Sequence, residues 1–175
     1  MRWKKNIKIG FNLNPWVKDK SSLSKKIINT MPFKIKELKG RHIKVFNYEK
    51  FFFQKKNTGD LYIREALIFG DKLPIVYART VIPKNYLRGF WGKVKNLKNN
   101  PLSEIVFNKS HILRSDFVFK NLSNNDELRK RLNTYKIFEN TSIIARKSVF
   151  DHKGQKVLLT EVFLNNIEGT NFFEK

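Results

Sequence analysis

The sequence has no cysteine. That removes disulfide frameworks, thiolate nucleophiles and every zinc pattern that needs sulfur ligands, and a reducing cytoplasm is the simplest setting. Long apolar runs are also missing. No stretch approaches the roughly 18 residues of a membrane-spanning helix, so no membrane span is expected. The basic start from Met1 to Trp16 is interrupted by Lys4, Lys5, Lys8, Asn12 and Asn14, unlike a signal peptide. There is no glycine-rich phosphate loop and no Gly-x-Ser-x-Gly elbow. The three histidines, His42, His111 and His152, stand apart, without a second histidine or a carboxylate at ligand spacing. Neither a metal nor another cofactor is therefore expected.

Acids are scarce: 15 Asp and Glu face 36 Lys and Arg, a net charge of +21. Such an excess can mark a nucleic-acid binder. The lysines, however, are dispersed along the whole chain and not gathered in one arm or helix. They also accompany abundant Asn, Ile and Phe, residues with AT-rich codons, so codon bias accounts for much of the charge. We expect no nucleic-acid partner. A positive field still raises the encounter rate of an anionic small molecule.

What the sequence does have is material for a core, with 41% hydrophobic and 14% aromatic residues. No repeat, low-complexity block or Pro/Gly-rich linker divides it, so residues 1–175 are expected to form one domain, and a monomer. Ser22 to Thr30 reads as a short helix opened by serines. Asn124 to Thr134 reads as another, with acids early and bases late as the helix dipole prefers. Seven segments alternate like strands: Phe33–Leu38, His42–Phe53, Leu61–Phe69, Ile75–Ile82, His111–Phe119, Ser142–Phe150 and Lys156–Leu164. Turn-like spacers join several of them, at Asn57–Asp60, Gly70–Lys72 and Asp151–Gly154, and short spacers favour antiparallel neighbours. The expected class is α+β, with an antiparallel sheet of about six strands and helices packed on one side.

Alternation also exposes charges where core residues should be. Arg64 shares a strand face with Tyr62, Ala66 and Ile68; Arg79 with Ile75, Tyr77 and Val81; Glu161 with Val157, Leu159 and Phe163. A charge buried without a partner costs several kcal/mol, so each of these must be paired or must line a cavity. Structural ion pairing and a functional pocket both remain open at this point. Glu65 lies among apolar residues on the opposite face of the Arg64 strand, and Arg146 gives a weaker signal among Ile144, Ser148 and Phe150. Two helix starts supply free amides of the kind that hold anions. In Asn100-Pro101-Leu102-Ser103, Asn100 suits the cap and Pro101 the first position, leaving the Leu102 amide free. Ser22-Leu23-Ser24-Lys25 similarly exposes the Leu23 amide.

These residues fall into segments that resemble the chorismate lyase family. Tyr62-Ile63-Arg64-Glu65-Ala66-Leu67-Ile68, followed by Ala78-Arg79-Thr80-Val81-Ile82-Pro83, resembles the family's "R-E" strand and its "A/G-R-T/S-V-hydrophobic-P" strand. Ser22-Leu23-Ser24-Lys25-Lys26, Pro101-Leu102-Ser103 with Val106-Phe107, and Leu158-Leu159-Thr160-Glu161-Val162-Phe163-Leu164 match three further segments in order. The likeness runs from about Trp16 to Leu164. Departures are lysine for arginine at several positions, Ala78 where glycine also occurs, Leu23 where methionine can occur, and the tail after Leu164.

The resemblance implies a sheet flanked by helices, with the ligand enclosed in a cavity beneath helical flaps and no metal or cofactor. It implies conversion of chorismate to 4-hydroxybenzoate and pyruvate, the first committed step toward ubiquinone. By the same resemblance Arg64, Glu161 and the backbone amides of Leu23 and Leu102 are substrate contacts, with Arg64 and Glu161 catalytic, and Arg79 is a further pocket arginine. On this view Arg64 and the two amides grip the ring carboxylate, Arg79 balances the enolpyruvyl carboxylate, and Glu161 meets the C4 hydroxyl. The alternative is a non-catalytic ligand-binding module, because effector domains of some transcription regulators look similar in fold. Those normally follow a winged helix, and fewer than about twenty residues precede the first matched segment, too few for such a domain.

Overall fold

A computed structural model describes residues 2–38, 43–54, 60–107, 111–138, 141 and 143–167. Its centre is one seven-stranded antiparallel sheet. The strands are β1 (Phe33–Leu38), β2 (Leu61–Gly70), β3 (Leu73–Pro83), β4 (Ile112–Arg114), β5 (Val118–Leu122), β6 (Ile143–His152) and β7 (Gln155–Phe163). They lie in the order β1-β2-β3-β7-β6-β4, with β5 also paired to β6. The α+β class expected from the sequence holds, with seven strands where about six were expected.

Two tight hairpins join neighbouring strands, and the β2–β3 ladder shifts by one residue between Ile68 and Phe69. Gly70 pairs with Leu73 across Asp71 and Lys72, both at positive φ, and His152 pairs with Gln155 across Lys153 and Gly154, likewise at positive φ. Two residues with positive φ match the twist of the strands they join.

Among the described residues five α-helices accompany the sheet: α1 (Asn14–Val17), α2 (Leu23–Ile28), α3 (Asn47–Gln54), α4 (Ser103–Val106) and α5 (Glu127–Thr134). Contrary to the one-sided expectation, they cover both faces. On one face Trp16 and Val17 of α1 and Leu23 and Ile27 of α2 pack against Ala66, Ile68, Val76 and Phe163. Beside them Leu102, Ile105 and Val106 meet Ile82, Phe150 and Leu159. On the other face Phe46 and α5 residues Leu128 and Leu132 cover Leu67, Tyr77, Ala145 and Val162. Fully burying a side chain such as Ile27 contributes about 1.5–3 kcal/mol, so each short helix is held by its apolar face and not by propensity.

Three local expectations are corrected. The segment His42–Phe53, read as a strand, contains α3; His42 itself lies outside the described residues. Its aromatic residues favour strands, but Glu49 accepts the backbone N–H of Phe46 at 2.8 Å, a helix-start box that tertiary contacts reinforce. The segment His111–Phe119 is two strands. Arg114 pairs with Phe150 and Val118 with Lys147, four residues advanced against three, so the chain bulges by one residue at Ser115–Phe117. Finally, α4 starts later than Asn100-Pro101 suggested: Leu102 is its cap, and the Pro101 carbonyl accepts from Glu104 N at 3.2 Å. The α2 and α5 expectations stand, capped by Ser22 and Asp126. The turn at residues 57–59, Ser142 and the tail from residue 168 lie outside the described residues.

Candidate functional site

Register decides which charges meet. Arg64 lies opposite Thr80, and Thr80 opposite Leu159. Ala66 lies opposite Ala78, Ala78 opposite Glu161, and Glu161 opposite Arg146. Cross-strand partners share a face, so Arg64, Glu161 and Arg146 all point to the side covered by α1, α2 and α4. Two alanines, Ala66 and Ala78, lie between Arg64 and Glu161. Their small side chains leave a pocket there, roofed by Leu23 and Ser24 of α2 and by Leu102, Ser103 and Val106 at α4. About 50 Å³ is open to water-sized groups, enough for a few waters.

Each charged wall is built differently. Arg64, 4% exposed, donates through Nη2 to the carbonyls of Lys98 and Asn100, both at 2.8 Å, which ties it to the loop that carries Leu102. Its Nε is buried without a hydrogen-bond partner, and the nearest carboxylate, of Glu37, is 3.8 Å away. Burial lowers its pKa from the ordinary arginine value. The amides of Leu23 and Leu102 donate to no group among the described residues.

Across the pocket, Glu161 Oε2 accepts from Arg146 Nε at 2.6 Å, and nothing among the described residues donates to its Oε1. Arg146 is fully buried between the Phe117 and Phe163 rings, and its Nη1 donates to the carbonyls of Trp16, Val17 and Asp19 at 3.0–3.2 Å. It therefore fixes Glu161 and the α1–α2 segment to each other, while its Nη2 stays buried without a partner.

A third guanidinium completes the wall. The β5 bulge turns Arg114 of β4 to this same face, where Nε donates to Ser148 Oγ at 3.1 Å and Nη2 lies 3.6 Å from Glu161 Oε2. Phe117 and Phe150 flank it at 4.4 and 5.0 Å. Burial pushes its pKa down to about 10, Arg146 adds to the fall, and Glu161 opposes it.

Of the residues the sequence marked, the structure brings Leu23, Arg64, Leu102 and Glu161 around one pocket. It does not bring Arg79. Arg79 lies opposite Glu65 in the ladder, so both point to the far face. There Arg79 donates to Glu49 at 2.6 and 2.9 Å, to the Lys44 carbonyl at 2.6 Å, and to Glu65. Glu65 also accepts from Tyr77 at 2.5 Å, Arg131 at 2.6 Å and Tyr135 at 2.5 Å. Burial opposes ionisation of Glu65, yet these donors hold its pKa below the ordinary value. Arg79 is thus a structural ion-pair residue separated from the pocket by the sheet, and the expectation that it binds ligand is corrected.

Sequence reasoning missed Arg114, which carried no flag, and underweighted Arg146, whose only signal was alternation with Ile144 and Ser148. A wider hollow of about 790 Å³ lies on the far face, lined by Trp3, Tyr48, Phe52 and Lys147 among others, and Arg114 is the one residue it shares with the pocket. Among the described residues, no group of three or more His, Asp or Glu side chains converges as metal ligands would. No helix among them is long and apolar enough to cross a membrane.

The sequence profile of the chorismate lyase family matches residues 2–170. The chain belongs to the chorismate lyase family. It is similar to a protein named "Probable chorismate pyruvate-lyase" from Aromatoleum aromaticum, 27% identical over 158 residues, covering 89% of this chain and 85% of that one. A protein of the same name from Hydrogenovibrio crunogenus is 30% identical over 161 residues, covering 88% and 82%. With the relative of that name from Nitrosospira multiformis, 31% identical over 105 residues, the match covers 60% of this chain and spans 58% of the relative's length.

Among solved structures, the fold is shared with the C-terminal domain of the histidine utilization repressor from Pseudomonas syringae pv. tomato. The TM-score is 0.55 at 6% identity, covering 82% of this chain and 97% of that one. A ligand-binding domain assigned to the GntR family of transcriptional regulators, from Bordetella bronchiseptica, gives 0.53 at 11% identity, covering 77% and 86%. At those identities the likeness is one of fold alone.

Proposed function

We propose that this member of the family is an active chorismate lyase, which cleaves chorismate to 4-hydroxybenzoate and pyruvate and so commits chorismate toward ubiquinone in the cytoplasm. The observation that carries the reading is the pocket, where Arg64 and the unpaired amides of Leu23 and Leu102 stand at one end and Glu161 at the other. Chorismate has matching ends: a ring carboxylate at C1, and at the opposite ring position the C4 hydroxyl, beside the enolpyruvyl ether at C3.

In this reading Arg64 and the two amides hold the ring carboxylate, since a guanidinium and free helix-start amides both suit that group. Glu161, held by Arg146 through Oε2, offers Oε1 to the C4 hydroxyl. The reaction removes the C4 hydrogen and breaks the C3–oxygen bond. The hydrogen goes as a proton either to Glu161 as general base, which gives it up again to protonate the methylene carbon of the departing enolate, or directly to that carbon; in both cases the group leaves as pyruvate. Aromatisation drives the step, so the protein's task is to hold the reactive conformer away from water. No step in this scheme calls for a cofactor. The space open to water-sized groups is small, so α2 and the Leu102 loop act as flaps that move to admit the ring.

The test is to mix purified protein with chorismate, following the ultraviolet absorbance of 4-hydroxybenzoate and the release of pyruvate coupled to lactate dehydrogenase. Equal release of both products is expected. Binding of chorismate without pyruvate release would overturn the proposal in favour of a ligand-binding domain, the role named for the Bordetella structure of shared fold.

A further inference from the structure

We infer that Arg114 holds the enolpyruvyl carboxylate of chorismate, and that it is the group by which the pocket tells substrate from product. This inference rests on the chorismate reading above.

The first argument is charge. Arg114 and Arg146 share one carboxylate, Glu161, and share it unequally: 2.6 Å from Arg146 Nε, 3.6 Å from Arg114 Nη2. Arg146 is further matched by three backbone carbonyls. Arg114 has Ser148 Oγ on Nε and a long contact of 3.4 Å from Nη1 to the Lys20 carbonyl, and nothing among the described residues accepts a hydrogen bond from its Nη2. Flanking rings and partial burial limit the water around it, which strengthens its attraction for any anion that enters. The lowered pKa of Arg114 agrees with a cation that lacks a full counter-charge.

The second argument is position. If Arg64 holds the C1 carboxylate and Glu161 the C4 hydroxyl, the C3 substituent must project beside Glu161, because C3 and C4 are bonded neighbours. Arg114 lines the pocket and is adjacent to Glu161, whereas Arg146 does not line it and Arg79 lies across the sheet. The sequence reading gave the second carboxylate to Arg79; among the described residues, Arg114 is the guanidinium beside Glu161 on the correct face with a donor that none of them takes. A dianion with carboxylates at both ends meets Arg64 and Arg114 together. The product 4-hydroxybenzoate keeps only the carboxylate that Arg64 holds.

The two ligands therefore separate the role. Steady-state kinetics with chorismate and calorimetric titration with 4-hydroxybenzoate are measured on the parent, Arg114→Met and Arg114→Lys. For Arg114→Met, kcat/KM should fall about 100-fold or more, while the dissociation constant of 4-hydroxybenzoate stays within about threefold of the parent. Arg114→Lys should recover part of the loss through its charge. Equal losses for both ligands would mean a structural role, and unchanged kcat/KM would mean no contact; either overturns the inference. If Arg114→Met fails to fold, Arg114→Lys and Ser148→Ala, which frees the guanidinium, decide on the same split between the two ligands. A parent that releases no pyruvate defeats the chorismate reading itself, an outcome distinct from an active parent whose variants show no split.

Discussion

Both faces of the sheet bury arginines against glutamates, and the two clusters are finished differently. On the far face Arg79, Glu49 and Glu65 are fully or almost fully buried, and each guanidinium nitrogen of Arg79 has an oxygen. On the pocket face Arg64 Nε and Arg146 Nη2 are buried without partners, and among the described residues Arg114 Nη2 has only a distant carboxylate and nothing donates to Glu161 Oε1. A saturated network has nothing left to offer a ligand and acts as a clamp between α3, α5 and the sheet. An unsaturated one costs stability in the empty protein, and a ligand that completes it recovers that cost on binding.

The comparison breaks most visibly under substitution on the far face. Arg79→Met strands Glu49 in the interior and removes one of the donors to Glu65, and removing one partner of a buried pair costs about 3–5 kcal/mol. A large fall in the denaturation midpoint is expected, with 4-hydroxybenzoate affinity per folded molecule unchanged. If ligand affinity falls and stability does not, the two faces have been assigned the wrong way round. Arg64→Met should do the reverse. Its guanidinium is held by two carbonyls and a carboxylate beyond hydrogen-bond range, so the fold should keep its midpoint or gain slightly. Chorismate and 4-hydroxybenzoate should both bind more weakly, by about 2–5 kcal/mol. Parent-like affinity for 4-hydroxybenzoate in that variant would remove Arg64 from the carboxylate site.

The pocket face was largely legible in the sequence because it is made of long, regular strands. In β2 and β7 alternation assigns the faces of Arg64 and Glu161 correctly, and the β3–β7 ladder, with Ala78 opposite Glu161, brings them together. Arg114 was illegible for a definite reason. An unbroken strand over His111–Phe119 puts Arg114 and Phe119 on opposite faces, since they are five residues apart. The one-residue bulge reverses that parity and puts Arg114 on the face of Phe119 and Arg146. Arg79 failed differently. Its own alternation was read correctly beside Tyr77 and Val81, though not beside Ile75, which the register shift turns to the opposite cluster, and facing within a strand does not say which side of the sheet holds the pocket. That depends on Glu49, and Glu49 belongs to α3, a segment whose run of aromatic residues imitates a strand.

The smallest effect concerns the rim of the pocket, where Asp19 joins α1 to α2. Its carbonyl accepts from Arg146, and its carboxylate takes Lys26 Nζ at 2.7 Å and the Ser21 amide at 2.7 Å. Partial burial works against the charge, yet these donors bring the Asp19 pKa from 3.8 down to about 2. A depressed folded-state value means stability that is present above the unfolded value, near 3.8, and lost as pH falls toward about 2. Solvent reaches this pair, so its contribution is about 1 kcal/mol or less, and less again in salt. Asp19→Asn should therefore lower the denaturation midpoint slightly at pH 6, with the difference from the parent vanishing as pH falls through that window and shrinking in about 1 M salt. Glu65, on the far face, is also depressed, but it is itself fully buried and its donors are buried or half-buried, so a parent and an Arg131→Met variant should differ by more and keep most of that difference in salt. If the Asp19 difference persists in salt or exceeds the Arg131 difference, the rim is held as tightly as the clamp, and α2 cannot serve as a flap of low opening cost.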